Sequence, residues 1–432
     1  MKGINGRSGF RQRISPEIFL RIVALTNGLI NSTEFKKRSR EKEHYFTRKR
    51  KMNFEDLMLY MLNSYNCSTQ CGLRRFFPLI RKKLSMKQQS FSEARKKIKV
   101  SAFIETFNLS VDVLSKSCKS TWHGFLVFAI DGTKIALSQD KVLLKHYGGT
   151  GANASSPTAQ GSIMYDILND IVYDALLEPL STDERTLAIK HIMTVFDRLV
   201  VRKILIIFDR GYPSFELIKL LESLGIKYLM RVKTKFNTDI DAQKEPDGYV
   251  RLTKDNEFLD VRVIKFTLDS GELETVITNV DDGRLGVNAF KKLYFMRWPI
   301  ETKYDVVKNK LHLENFSSRT VEGVRQDFYA IMYLTNVAAA AAHDAQPKVD
   351  AARLGKKNKY AYRVNINELV GILKDRFISA LLIKQEKKRT EVIEDILKEI
   401  ASNVVPVRPN RSVKRNPNPR RTKFHHNRRS NS

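Results

Sequence analysis

Residues 293–312, LYFMRWPIETKYDVVKNKLH, carry Tyr294, Arg297, Glu301 and Lys308 at successive steps of 3, 4 and 7. On a continuous helix these steps keep side chains on one face, because residues three and four apart stack on the same side. That face would hold a phenol, a guanidinium, a carboxylate and an ammonium: an acid able to bind metal, flanked by two cations able to grip phosphate. Pro299 qualifies the pattern. Proline fits best in the first turn of a helix, where its missing N–H costs nothing. The helix is therefore expected to start near Trp298, with Tyr294 and Arg297 on the preceding turn or element.

Two further acids stand upstream, each at the end of an apolar run. Residues 122–137, WHGFLVFAIDGTKIAL, contain FLVFAI, which has the length of a strand and ends at Asp131. Asp131-Gly132 taken alone is a common hairpin turn, with KIAL as a second short strand. Residues 202–214, RKILIIFDRGYPS, contain the fully apolar ILIIF, as in a buried central strand, and it ends at Asp209. A helical pattern resumes at 215–224. Strand, acid, turn, helix places a carboxylate at the carboxyl edge of a sheet, where open α/β sheets gather their ligands. The three acids lie 78 and 92 residues apart, so only a fold can bring them together.

The Y-x2-R-x3-E-x6-K spacing resembles the signature of insertion-sequence DDE transposases. The likeness is most specific at AIDGTKIAL, IIFDRGYPSFEL and LYFMRWPIETKYDVVKNKL, and extends loosely over SFSEARKKI and TVITNV. It implies an α/β fold with an RNase H-like mixed sheet flanked by helices, in which two neighbouring strands carry the first two acids and a later helix the third. It implies that Asp131, Asp209 and Glu301 hold two Mg2+ ions, for which Mn2+ can substitute, and catalyse DNA strand cleavage and strand transfer. It implies that Arg297 and Lys308 hold phosphates beside the cut and that Tyr294 bonds or stacks there. Arg210, Tyr212 and Trp298 are further candidates for DNA contact, although core packing is an equal reading of Tyr212 and the simpler one of Trp298. The expected partners are double-stranded DNA, as terminal inverted repeats and target, and a second copy of the chain on paired ends.

Composition agrees with a polyanion partner. The net charge of +29 is concentrated at the ends: residues 1–120 hold 26 Lys and Arg against 9 Asp and Glu, and residues 405–432 hold 9 Lys and Arg and no acid. Phosphate contacts supply much of the affinity of DNA-binding proteins. A solvated basic surface is the plainer reading, and an even distribution would have favoured it. No apolar run reaches the 18 residues of a membrane span, and no secretory leader pattern opens the chain. Three cysteines in 432 residues argue against a disulfide framework and for a reducing, cytoplasmic setting. Cys67, Cys71 and Cys118 lack a fourth partner for zinc. His123, His146, His191 and His312 are read as loop or packing residues.

The expected organisation is a helical DNA-binding domain over 1–115, a catalytic domain over 120–345 with a β-rich insertion at about 228–285, a helical region over 346–404 and a disordered basic tail over 405–432. Within the first of these, Asn53 caps a helix over 54–63 and Ser92 a second. The loop 146–158, HYGGTGANASSPT, lacks the P-loop pattern and is expected to border a site rather than grip a nucleotide. The alternatives are a relative that binds DNA without cutting it, a nuclease that cuts without joining, and a basic scaffold protein. A tyrosine recombinase is disfavoured, because its Arg, His-x-x-Arg and Tyr arrangement is missing.

Overall fold

The computed structural model describes residues 18–48, 50–63, 67–81, 86–199, 202–268 and 271–408. The expected disordered tail lies outside the described residues from 409 onward. Two compact units make up the described chain. One, the sheet unit, holds residues 119–134 and 160–304; the other, the helical unit, holds residues 18–118, 135–159 and 305–408.

The chain opens with α1 (Ile18–Ile30), α2 (Thr33–Ser39), α3 (Phe54–Met61), α4 (Thr69–Leu79), α5 (Gln88–Arg95) and α6 (Val100–Ser117). Asn53 caps α3 as its sequence implies: it accepts from the Asp56 N–H while the Asp56 carboxylate accepts from Asn53, a closed capping box. Ser92 is not a cap. It lies inside α5, donating to the Gln88 carbonyl, and the helix expected to run on from it ends at Arg95. Tertiary bonds cause the break. Ile98 bridges to Arg40, and the Gln326 amide donates to the carbonyls of Arg95 and Ile98, so the backbone there is committed elsewhere.

Next come β1 (Leu126–Ala136), α7 (Lys141–Tyr147), β2 (Gly149–Thr150), β3 (Ser156–Asp166), β4 (Ile171–Pro179), α8 (Glu184–Arg198), β5 (Ile204–Phe208), α9 (Phe215–Ser223) and β6 (Lys227–Arg231). Then follow α10 (Thr238–Ala242), β7 (Asp247–Lys254), β8 (Glu257–Thr267), β9 (Leu273–Thr278), α11 (Val287–Phe295) and α12 (Pro299–Asp305). In the sheet unit the order is β4-β3-β1-β5-β6-β9-β8-β7, with β1, β5 and β6 parallel and β6 to β9 antiparallel. This is the mixed α/β architecture the sequence implies. Asp131-Gly132 makes no turn, because β1 runs straight through it between two neighbouring strands. The alternating segments after residue 228 form hairpins as read, but they continue the main sheet through β6 and β9.

One face of that sheet buries Val127, Leu205, Ile207 and Leu229 against Phe290, Leu293 and Tyr294 of α11. Each such side chain contributes roughly 1.5–3 kcal/mol on burial. The contact fixes α11, and with it the segment leading to Glu301.

In the helical unit, a π-wound turn at Val306–Lys310 leads to α13 (Val321–Ala351), β10 (Ala361–Val364), α14 (Ile366–Leu382), α15 (Glu386–Ser402) and β11 (Val404–Val407). α13 packs mainly on α6, and its Ala338, Ala339, Ala340 and Ala341 are buried, in keeping with close helix approach. β11 pairs with β10 through Pro406, so the first residues of the expected tail are ordered strand.

Candidate active site

Strands β1 and β5 pair in register Leu126↔Ile204 to Ala129↔Ile207, a constant offset of 78. Asp131 and Asp209 are separated by the same 78 residues. Each lies two positions past the last paired residues, Ala129 and Ile207, so both stand at the same end of two adjacent parallel strands. Asp131 is still within β1, and Asp209 is the first residue past β5.

The backbone around Asp131 is held tightly. Its carbonyl accepts from the Tyr304 hydroxyl at 2.6 Å and the Ser162 hydroxyl at 3.2 Å. Ser162 is in turn 3.0 Å from Nε2 of buried His191, whose Nδ1 lies 2.7 Å from Asp174. Ser162, His191 and Asp174 have the order of a hydrolytic triad, but Ser162 is 1% exposed and serves as a strut behind Asp131. The Asp131 carboxylate accepts from the Gly132 N–H at 3.0 Å. Burial pushes its pKa up to about 6, with Glu184 and Glu301 adding to the rise against the opposing pull of Arg297 and Gly132.

Asp209 accepts from the Tyr294 hydroxyl at 3.3 Å and lies 3.9 Å from Arg231, which also pairs with Glu274. Burial raises the Tyr294 phenol to about 12, and Asp209 adds to this. Glu301 sits in the first turn of α12, and Pro299 is that helix's first residue, as its chemistry demands. Arg297 precedes the helix and pairs with Glu301 at 3.1 Å. The Arg297 guanidinium is buried, and the cost of burial to its charge is outweighed by Tyr294, Asp209, Asp131 and Glu301. All three acids therefore share one cation.

The other sequence candidates are placed differently. Lys308 lies in the helical unit, in the π-wound turn, 3.7 Å from Glu314, and burial lowers its pKa. As Pro299 implies, Tyr294 and Arg297 precede the helix that carries Glu301: α11, a break, α12 and the π turn divide the stretch. Arg210 is exposed. Trp298 is 48% exposed, so it is not a core residue. Tyr212 is 1% exposed and packs on Phe208, which removes it from the surface where DNA contact was expected.

Tyr304 and Glu184 were not singled out in the sequence. Tyr304 stands three residues after Glu301, the spacing of one helical face, and that signal was readable. Glu184 stands in the first turn of α8 behind the Asp183 cap, where an acid is ordinary.

Among the described residues no three His, Cys, Asp or Glu side chains converge tightly enough to hold a metal ion. The chemistry of the donors nonetheless suits one. Asp131, Asp209 and Glu301 offer only carboxylate oxygens, the ligands of hard divalent cations. The Tyr212 hydroxyl is buried without a hydrogen-bond partner among the described residues and lies in the field of Asp131, Glu184 and Asp209.

Comparison with known proteins adds a family. A search of curated proteins gave no match. Among solved structures the chain is similar to a piggyBac transposase, seen by cryo-EM as a synaptic complex with hairpin DNA. The two share 11% identity and a TM-score of 0.46, over 93% of this chain and 85% of that one. The family model described as the transposase DDE domain matches residues 122–337, half of the chain, and spans β1, β5 and α12 with their three acids. The chain belongs to the DDE-domain transposase family.

Proposed function

We propose that this transposase belongs to the insertion-sequence group with the Y-R-E-K spacing. It binds the terminal inverted repeats of its element, cleaves at the element ends and joins the freed 3′-hydroxyl to target DNA. The observation that supports this reading is that Asp131 and Asp209 stand at the same end of the adjacent parallel strands β1 and β5, with Arg297 bonded to Glu301.

Asp131, Asp209 and Glu301 would hold two divalent ions, Mg2+ or in its place Mn2+. Such ions, when bound, polarise the phosphodiester and stabilise charge on the attacking and leaving oxygens. In the first step water attacks phosphorus, and the bond from phosphorus to the 3′ oxygen breaks. The products are a 5′-phosphate and a 3′-hydroxyl. In the second step that hydroxyl attacks a target phosphorus, a new P–O bond forms, and the target strand's own 3′ oxygen leaves with a proton.

The chain's side chains orient these steps. Tyr304 and Ser162 fix the Asp131 backbone, and Tyr294 fixes the Asp209 carboxylate. Arg297 neutralises the acids and offers a planar fork to a phosphate at the cut, and Lys308, in the helical unit, supplies a point charge for the DNA backbone. Arg210 and Trp298 supply exposed contacts to the strand. In the helical unit a cleft of about 1270 Å3 is lined by Arg48, Arg50, Lys51, Lys87 and Lys97 with Tyr45. Its charge suits a DNA backbone. Activity on two paired ends calls for a homodimer.

A strand-transfer assay tests the proposal, using the full chain, labelled element-end duplexes and Mg2+ or Mn2+. Cut and joined products are expected with the wild type, and their loss with Asp131→Asn, Asp209→Asn and Glu301→Ala. Equal activity in the Glu301→Ala protein would remove the catalytic assignment. Cut ends without joined products would leave a nuclease.

A further inference from the structure

A further acid, Glu184, lies beside the backbone that follows Asp131 and Asp209. A Cβ built on Gly132 would stand 3.0 Å from Oε1 of Glu184, and one built on Gly211 would stand 3.4 Å from Oε2. Gly132 follows Asp131 directly, and Gly211 comes two residues after Asp209. The Glu184 carboxylate is thus wedged between the two backbone segments that present the paired aspartates. At Gly132 the added carbon would also come within 2.8 Å of the Gln160 amide, so the ends of the Gln160 and Glu184 side chains would have to shift.

Among the described residues no bond accounts for this placement. Glu184 makes no side-chain hydrogen bond or ion pair among the described residues, and the helix it opens is already capped by Asp183. A lone acid in a first helical turn normally faces solvent and the helix dipole. This one is exposed too, but its carboxylate stands over Gly132 and Gly211 and adds to the rise in the Asp131 pKa. A separate observation points to a ligand there. The Tyr212 hydroxyl, on a side chain 1% exposed, has no hydrogen-bond partner among the described residues and lies in the field of Asp131, Glu184 and Asp209, opposed by Arg297. Buried hydroxyls are almost always bonded, so this one is provided for by something the protein itself does not supply.

We propose that Glu184 is a fourth carboxylate ligand of the divalent ions held beside Asp131 and Asp209, and that the Tyr212 hydroxyl bonds to water on such an ion. The inference rests on the metal-dependent reading above and extends it. A fourth acid adds negative charge to the centre, tightens its hold on hard cations and makes the paired aspartates less dependent on Glu301 in the other element.

The test is metal binding, not turnover. Mn2+ binding to the full chain is measured by calorimetry and by loss of the free-ion EPR signal, for wild type, Glu184→Gln, Tyr212→Phe and Asp131→Asn. Circular dichroism and thermal melting check each fold. Glu184→Gln is expected to fold normally and to bind Mn2+ about 10–100-fold more weakly, as is usual when a metal centre loses a supporting group. Tyr212→Phe is expected to lose less. A second variant reads direct contact: Glu184→Cys with Cd2+ is expected to give a thiolate-to-cadmium absorption band that the wild type, with its three buried cysteines, does not give. If Asp131→Asn weakens Mn2+ binding while Glu184→Gln matches wild type and Glu184→Cys gives no band, the fourth ligand is refuted and the DDE reading stands. If the wild type binds no Mn2+, both fall.

Discussion

The Asp131 carbonyl is the most heavily supported backbone atom near the acids, taking bonds from Tyr304 and Ser162 with His191 and Asp174 behind them. His191→Ala would leave buried Ser162 and Asp174 short of a partner. A loss of about 2–3 kcal/mol in urea unfolding is expected, whereas Tyr304→Phe, which leaves Ser162 in place, costs about 1 kcal/mol. A second buried acid sets a pH response. Asp166 has its pKa pushed up to about 7 by burial, against the bonds it accepts from Asn169. In the unfolded chain such a group ionises near ~4. The fold therefore favours the neutral form, and that contribution is complete below pH ~4 and lost as pH rises through about 7. Urea titrations are expected to show stability falling by a few kcal/mol (~1.4 per pKa unit) between pH 4 and 8, with most of the slope gone in Asp166→Asn. An unchanged slope in that variant would place the titration elsewhere. None of this was legible in the sequence, because burial decides it and Asp166 reads locally as a turn residue.

Among the elements, α5 and α13 are clasped by one side chain. Arg95 is buried and donates to Gln326, Ser317, the Gly323 carbonyl and Asp327. Removing one side of a buried ion pair strands the other, so Arg95→Ala is expected to cost about 3–5 kcal/mol by chemical unfolding. Gly323 belongs to the same joint: an added Cβ would come within 2.0 Å of the Ser318 hydroxyl, and Gly323→Ala should lower the melting temperature, by at most roughly 2–4 °C per kcal/mol lost. At this scale the sequence was informative where local chemistry decides. ILIIF, the Asn53 cap and Pro299 at a helix start all appear in the fold. It misled at Ser92 and at Asp131-Gly132, where distant partners, Gln326 for one and the flanking strands for the other, override the local preference.

For the whole molecule, charge governs the encounter with DNA. Binding should weaken steeply with salt, and Arg50→Ala with Lys51→Ala should reduce the slope of log K against log salt by about 2, near 0.9 for each lost phosphate contact. Fluorescence anisotropy on end-containing duplexes measures it; an unaltered slope would move the DNA path away from that cleft. That Asp131 and Asp209 share one end of β1 and β5 was hidden in plain arithmetic, since their separation equals the β1–β5 offset, but only the ladder gives the number meaning. The grouping of α1 to α6 with α13 to α15 in one unit follows from contacts no local pattern encodes. The π-wound turn at Val306–Lys310, closed by the Leu311 N–H on the Val306 carbonyl, has its own bearing on ancestry. Such a turn accommodates one more residue than the α-helix it interrupts. Relatives whose helix is wound evenly are expected to be one residue shorter between Tyr304 and Leu311. An ungapped alignment there would displace every later position by one, equivalent to about 100° of helical rotation, and would set Lys308 against the wrong neighbour.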